Sequence, residues 1–112
     1  MQFGIKEIEA GTLAERLASE NKSFKIIDVR EIGEIQAGTI PGAIPMPLAT
    51  VPLRLNELDQ EDEMILICRS GARSAQACMF MQQQGFTNVY NLRGGMFAWA
   101  GSGQPIGLPE AC

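Results

Sequence analysis

The sequence predicts an α/β domain with a mostly parallel sheet that has helices on both faces. Short runs rich in β-branched and aliphatic residues alternate with segments of helical spacing, and the connections between them are short. One run, residues 64–67, is apolar throughout, which is typical of a strand buried on both faces. A chain of 112 residues is long enough for one such domain and too short for two of ordinary size.

Four runs are predicted to be strands because they are short and are either apolar or alternate apolar with polar side chains. Between the second and third of these runs, the prolines of residues 39–47 predict an extended connector rather than a helix. The predicted strands are residues 3–8, 24–29, 64–67 and 87–92.

The segments between the strands are predicted to be helices. Thr12 and Glu15 have the spacing of a capping box, so the first helix is predicted to begin at Thr12. Gly85 has the position of a C-terminal glycine for the fourth helix. The other predictions are a short helix over 31–37, a helix broken by Pro52 within 48–58, a helix from Arg73 or Ser74 to Gln84, and a short helix after 93–95.

The alternating pattern predicts a single domain over residues 1–106 and a short C-terminal tail over residues 107–112. Glycines and prolines are frequent from Gly101 onward. This composition predicts that the end of the chain lies loosely on the surface.

Composition and charge exclude several classes of function. The net charge is −4 and the basic residues are scattered, which disfavours a nucleic-acid partner. The chain has no histidine, so Ser-His-Asp and Cys-His catalysis and His-containing metal sites are excluded. Its three cysteines are widely spaced and form neither a CxxC nor a paired-cysteine zinc pattern, so neither a metal nor a cofactor is predicted.

The expected location is the cytoplasm, and no association with a membrane is predicted. No apolar run approaches the ~20 residues that a membrane-spanning helix needs. Residues 1–10 lack the apolar stretch of a signal peptide. A reducing compartment preserves free thiols, which is relevant because the best candidate for a reactive group is a cysteine.

Cys68 follows directly after the predicted strand 64–67, and a helix is predicted to begin a few residues later. The main-chain N–H groups of the turn and of the first helical turn have no partners within the helix, and a short turn would direct several of them at the sulfur. Thiols at helix N-termini beside arginines can fall from a pKa of about 8.5 to about 3.5–7.5. Cys68 is therefore the predicted catalytic nucleophile, in a loop with Arg69, Ser70, Gly71, Ala72 and Arg73.

Four short segments together resemble the rhodanese family, in its single-domain form. The first is Cys68-Arg-Ser-Gly-Ala-Arg73, which is similar to the active-site loop of that family. The others are Asp28-Val29-Arg30, the block from Glu34 to Ala43, and Leu92-Arg93-Gly94-Gly95 followed by Trp99. The resemblance extends over residues from about 24 to 106.

The resemblance implies a five-stranded parallel sheet and an enzyme of the thiosulfate:cyanide sulfurtransferase type, in which a sulfane sulfur passes through a persulfide on Cys68. The implied partners are a small anionic donor, thiosulfate or a persulfide, and an acceptor that is a protein or a thiol. By the same resemblance, Arg69 attracts the donor, Arg73 holds the loop through its carbonyls or an acidic partner, and Asp28 and Arg30 support the site from the neighbouring strand.

Two details refine this interpretation. Four residues separate Cys68 from Arg73, whereas the related phosphatase and arsenate-reductase loops are one residue longer, so the shorter loop favours sulfur over phosphate chemistry. Thr39 stands where the family commonly has histidine. We expect this difference to affect local packing more than the chemistry.

Other functions remain open at this point. A persulfide carrier would hold sulfur on Cys68 and pass it to a dedicated protein partner, with little turnover of free thiosulfate. A non-catalytic interaction module and a phosphatase are less favoured. Cys78, in the helix after the loop, is predicted to be a core residue, and Cys112 is predicted to be an incidental thiol unless it relays the persulfide.

Overall fold

The structure is a computed structural model that describes residues 4–19 and 23–110. It contains five strands, five α-helices and two 3-10 turns within those residues. In chain order they are β1 (Lys6–Ile8), α1 (Ala10–Ala18), β2 (Phe24–Asp28), α2 (Ile32–Ala37), β3 (Ile44–Pro45), a 3-10 turn (Leu48–Thr50), α3 (Val51–Arg54), a second 3-10 turn (Leu55–Glu57), β4 (Glu63–Ile67), α4 (Ala72–Gln83), β5 (Val89–Leu92) and α5 (Gly95–Gly101).

The five strands form one sheet in the order β1-β5-β4-β2-β3, and every pairing is parallel. The apolar strand β4 is central, between β2 and β5. Its last residue, Ile67, lies opposite Asp28 at the end of β2. The residues that follow β2 and β4 therefore meet at the carboxyl edge of the sheet, where sites in parallel α/β proteins form.

Alternate residues of the central strands pack into two separate cores, one on each face of the sheet. On one face, Leu66 packs with side chains of α3 and α4, among them Val51 and Met81. On the other face, Ile65 and Ile67 pack with side chains of α1 and α5. This arrangement confirms the predicted α/β class with helices on both faces.

The fifth strand lies inside the predicted connector. Ile44 and Pro45 of β3 pair with Ile27 and Asp28 at the edge of the sheet. A two-residue strand that contains a proline has no recognisable sequence pattern, and its position at the edge is where proline is tolerated in a sheet.

The first helix begins earlier than the sequence predicted. It starts at Ala10 with Glu9 as the N-cap residue, and the N–H of Leu13 donates to the carbonyl of Glu9. Thr12 therefore lies within the first turn and does not cap the helix, so this prediction was wrong. Ala10 and Leu13 are both buried, and their packing against the sheet extends the helix beyond the capping pattern.

The C-terminal segment is attached to the domain rather than loose. Thr39 and Gly107 exchange two main-chain hydrogen bonds, and the N–H of Glu110 donates to the carbonyl of Ala43. The indole N–H of Trp99 donates to the carbonyl of Pro105 at 2.7 Å. The predicted looseness was therefore wrong for the part of this segment up to Glu110, while Cys112 lies outside the described residues.

Within the described ranges 4–19 and 23–110, no helix is both long and apolar enough to cross a bilayer.

Candidate active site

Cys68 lies directly after β4, at the carboxyl edge of the sheet, and α4 begins at Ala72. We call residues 68–73 the Cys68 loop. Gly71 is the N-cap residue of α4 and has a φ of 100°, in the left-handed region that side chains rarely adopt. This turn folds the chain back so that the N-terminus of α4 lies against the sulfur.

Three donors surround the sulfur of Cys68. The main-chain N–H of Gly71 lies 3.1 Å from Sγ, and the main-chain N–H and the hydroxyl of Ser74 each lie 3.3 Å from it. All three belong to the N-cap or first turn of a 12-residue helix, where the helix dipole favours negative charge. The predicted arrangement of main-chain hydrogens around Sγ is therefore present.

The surroundings of Cys68 favour its thiolate form. Burial by itself raises the pKa of this thiol, but the hydrogen bonds from the Ser74 hydroxyl and from the N–H groups of Ser74, Gly71 and Ser70 lower it. Burial is the largest single effect, but the four hydrogen bonds together outweigh it, so the pKa lies below the ordinary value.

The thiol is buried although its loop lies at the surface. Cys68 is 1% exposed, yet Arg69, Ser70 and Ala72 of the same loop are all exposed.

A second helix N-terminus binds the start of the loop. The N–H of Met96 donates to the carbonyl of Cys68 at 2.7 Å, and the N–H of Phe97 donates to the carbonyl of Arg69 at 2.9 Å. A Cβ on Gly95 would lie 2.4 Å from the carbonyl oxygen of Cys68, so only glycine fits at this position. The two loop carbonyls thus point away from the sulfur, which leaves the N–H groups facing it.

Arg73 connects the Cys68 loop to α2. Its guanidinium donates to both carboxylate oxygens of Glu34, at 2.9 and 3.1 Å. Arg73 and the N–H of Glu31 lower the pKa of Glu34 to about 2, so the pair is charged at neutral pH. The resemblance implied that Arg73 bonds either the carbonyls of the loop or an acidic partner. In the structure its side chain bonds the acidic partner, Glu34.

Asp28 and Arg30 form a buried ion pair at the end of β2. Arg30 donates to both carboxylate oxygens of Asp28 and, at 2.7 Å, to the carbonyl of Gly38. The hydroxyl of Thr39 donates to Asp28 at 2.7 Å and is fully buried. The side chains of this group bind the connector to the sheet rather than contact Sγ.

Arg69 is exposed, and its guanidinium forms no ion pair with the residues that the structure describes. It therefore differs from Arg73 and Arg30, whose charges are neutralised by neighbouring carboxylates. An uncompensated cation in the loop that carries the thiol can attract a small anion.

Sequence reasoning missed the roles of Ser74 and Asn91. The Ser74 hydroxyl contacts both Sγ and the side-chain oxygen of Asn91. The amide of Asn91 donates to the carbonyl of Gly71 at 3.1 Å. The only signal in the sequence is a polar residue between Tyr90 and Leu92 near the end of the predicted strand 87–92, and a polar side chain that becomes buried there needs hydrogen-bond partners.

No group of three or more histidine, cysteine, aspartate or glutamate side chains could hold a metal ion in the portion of the chain that the structure covers.

The fold and the loop together define an α/β domain with a thiolate-stabilising cysteine loop. The family model for the rhodanese-like domain matches residues 9–102. A sulfurtransferase of Allochromatium vinosum is 42% identical to the chain, over 95% of this chain and 98% of that protein. The thiosulfate sulfurtransferase GlpE of Shewanella oneidensis is 31% identical, over 72% of this chain and 80% of that protein.

Solved structures agree with the sequence relatives. A rhodanese-related protein of Thermoplasma volcanium superposes with a TM-score of 0.83 at 31% identity, covering 92% of this chain and 98% of that one. A rhodanese-like domain protein of Staphylococcus aureus gives a TM-score of 0.80 at 34% identity, covering 85% and 91%. The chain belongs to the rhodanese-like domain family, and its relatives support sulfur transfer as its general function.

Proposed function

We propose that this protein transfers a sulfane sulfur from a small anionic donor, thiosulfate or a persulfide, to a thiophilic acceptor through a persulfide on Cys68. The observation that carries the proposal is the set of three hydrogen-bond donors directed at Sγ. These donors favour the thiolate form without a histidine base, and a thiolate is the nucleophile that sulfur transfer needs.

The reaction has two steps. The Cys68 thiolate attacks the outer sulfur of thiosulfate and forms an S–S bond, while the bond to the inner sulfur breaks and sulfite leaves with its electron pair. A nucleophilic acceptor, cyanide in an assay or a thiolate in the cell, then attacks the outer sulfur, and Cys68 leaves as a thiolate. No electrons are gained or lost overall, so the cycle needs no redox cofactor.

The neighbouring charges have distinct roles in this proposal. Arg69 attracts the anionic donor because its charge is exposed and has no carboxylate partner in the described structure. Arg73 keeps the loop in place through Glu34, and the Asp28–Arg30 pair keeps β2 and the connector in place beside it. A free thiolate of this kind persists in a reducing compartment, which supports the predicted cytoplasmic location.

A second candidate is a persulfide carrier that delivers sulfur to a dedicated protein partner. The burial of Cys68 favours it, because a partner could open the loop that covers the thiol. YrkF of Bacillus subtilis, provisionally named a sulfur carrier protein, is 42% identical over 87% of this chain and 52% of its own length. A carrier would load with sulfur and turn over cyanide poorly.

Sulfur loading tests both candidates. Incubation of the full chain with thiosulfate should add one sulfur atom to the wild type, read by intact-mass spectrometry. Cys68→Ser should take up none, while the control Cys78→Ala should load normally because it leaves the site intact. Equal loading of Cys68→Ser and wild type would refute the proposal.

Cyanide turnover then separates the enzyme from the carrier. Rapid loss of the loaded sulfur to cyanide, with repeated cycles in excess thiosulfate, supports the enzyme. Loading without turnover supports the carrier.

A further inference from the structure

The hydroxyl of Ser74 lies between two groups that can each accept a hydrogen bond from it. One is Sγ of Cys68, at 3.3 Å, and the other is the side-chain oxygen of Asn91. Ser74 is fully buried and Asn91 is 2% exposed, so bulk water does not supply an alternative partner. A serine hydroxyl has one proton, so it can donate to only one of these acceptors at a time.

The orientation of the Asn91 amide is fixed by its other contacts. Its nitrogen donates to the carbonyl of Gly71 at 3.1 Å and to the carboxylate of Glu7 at 3.2 Å. Both of these groups are acceptors, so the opposite orientation would place the amide oxygen against two oxygens. Asn91 therefore presents its oxygen, an acceptor, to Ser74.

The charge on Sγ determines which of the two acceptors receives the hydrogen bond from the Ser74 hydroxyl. An anionic sulfur is the stronger acceptor, so the hydroxyl turns toward the thiolate and leaves the oxygen of Asn91 without a donor. An uncharged sulfur attracts the proton less, and the hydroxyl then donates to Asn91. In the thiol form, the S–H can in turn donate to the oxygen of Ser74, which completes a chain from Cys68 to Asn91.

We propose that Asn91 is a positioning residue. Its side-chain oxygen accepts a hydrogen bond from the Ser74 hydroxyl whenever Sγ is uncharged, and this bond breaks when Sγ becomes a thiolate. This inference rests on the proposed sulfur transfer, in which Sγ loses its charge when the persulfide forms and regains it when the acceptor removes the outer sulfur. When the persulfide forms, the negative charge moves from Sγ to the outer sulfur and the Ser74 hydroxyl donates to Asn91. When the acceptor removes the outer sulfur, Sγ becomes a thiolate again and the hydroxyl donates to it, while the proton stays on the serine oxygen throughout.

The charged groups near Asn91 and the Cys68 loop are held in ion pairs. Glu7 of β1 faces the amide and is paired with Arg93, at the end of β5, which also binds Glu9. From α4, the guanidinium of Arg73 is paired with Glu34. These charged groups are unchanged in the variants described below, so differences between the Cys68 titrations of those variants report on Ser74 and Asn91.

The test is a double-mutant cycle on the titration of Cys68, followed by the rate of iodoacetamide alkylation against pH and mapped to the Cys68 peptide. Asn91→Leu removes the competing acceptor, so the pKa of Cys68 should fall by about half a unit to one unit, the equivalent of one hydrogen bond. Ser74→Ala should raise the pKa because it removes a donor. In the Ser74→Ala protein, Asn91→Leu should have no further effect.

Asn91→Asp should shift the pKa of Cys68 in the direction opposite to Asn91→Leu. A carboxylate holds the Ser74 proton more strongly and repels the thiolate, so the pKa of Cys68 should rise in this variant. A purely structural role of Asn91 would loosen the loop and raise the pKa in both the leucine and the aspartate variants. Asn91→Ala is measured in parallel, with the same expected direction as leucine, in case the larger side chain prevents folding.

A rise or no change in the pKa with Asn91→Leu or Asn91→Ala overturns the inference. A fall that persists unchanged in the Ser74→Ala protein overturns it as well. Alkylation does not require sulfur transfer, so these results are independent of the loading experiment. A wild type that fails to load sulfur would refute the proposed function and leave the pKa cycle interpretable.

Discussion

Two cysteines ten positions apart are both almost completely buried, yet their pKa values are shifted in opposite directions. Cys68 is 1% exposed and Cys78 is 0% exposed. The pKa of Cys68 lies below the ordinary value, whereas burial, with small contributions from Glu7 and Cys68, raises the pKa of Cys78 to about 12. Burial acts in the same direction on both thiols, so it does not explain the difference.

The difference comes from the position of each cysteine relative to α4. Cys68 faces the start of the helix, where N–H groups have no intrahelical partners and three donors reach the sulfur. Cys78 lies inside the same helix, among Leu66, Ala77 and Met81 of the apolar core. The reactivity of a buried thiol is therefore determined by the main-chain groups that it faces, and Cys78 is a core residue as predicted.

The largest effect should be the selectivity of alkylation between the two thiols. A pKa of about 12 gives Cys78 a thiolate fraction at pH 7 that is more than about a thousandfold smaller than that of an ordinary thiol. Iodoacetamide should modify Cys68 in the native protein with a midpoint below that of an ordinary thiol, and modify Cys78 only after unfolding in urea. Similar rates for the two native thiols would contradict the comparison.

A substitution at Gly71 should reduce the difference in pKa between the two thiols by raising the pKa of Cys68 and leaving Cys78 unchanged. At a φ of 100°, Gly71→Ala costs about 1–2 kcal/mol of stability or forces the turn to relax, and a relaxed turn moves the N–H of residue 71 away from Sγ. We expect the alkylation midpoint of Cys68 to rise and the protection of Cys78 to stay the same.

Gly33→Ala is the matched control for this substitution. Gly33 lies in α2 with open space where a Cβ would be placed, so alanine should be neutral or stabilise the helix by up to about 1 kcal/mol. A Gly71→Ala protein with the wild-type midpoint for Cys68 would show that the turn does not control the thiol.

The local part of this contrast could be predicted from the sequence. The apolar strand, the cysteine and the helix are consecutive in the chain, so the pattern of residues 64–74 contains both the sulfur and the donors that surround it. The end of α2 could be predicted in the same way, because the helix stops at Ala37 with Gly38 as its C-cap residue. Features formed by neighbouring residues depend on local backbone preferences, which composition and spacing reveal.

The features that the sequence did not reveal depend on residues far apart in the chain. Asn91 reaches Ser74 only because β5 lies beside β4 in the sheet, and Arg73 reaches Glu34 across to α2. The strand β3 forms because its two residues lie beside β2, and not because of their own pattern. Tertiary packing determines these contacts, and a single sequence has no local signal for them.

The smallest effect should come from the ion pair that holds the Cys68 loop and has no counterpart at Cys78. Both side chains are about one-third exposed, so Glu34→Gln should cost at most about 1 kcal/mol at pH 7. Because the pKa of Glu34 is lowered from 4.5 to about 2, its stabilising effect is complete above pH 4.5 and is lost as the pH falls toward 2. Urea unfolding should therefore show a gap between wild type and Glu34→Gln that closes over this range, with Glu15→Gln, at an exposed position of α1, as the control. A gap that stays constant down to pH 2 would mean that the charge of Glu34 does not hold the loop.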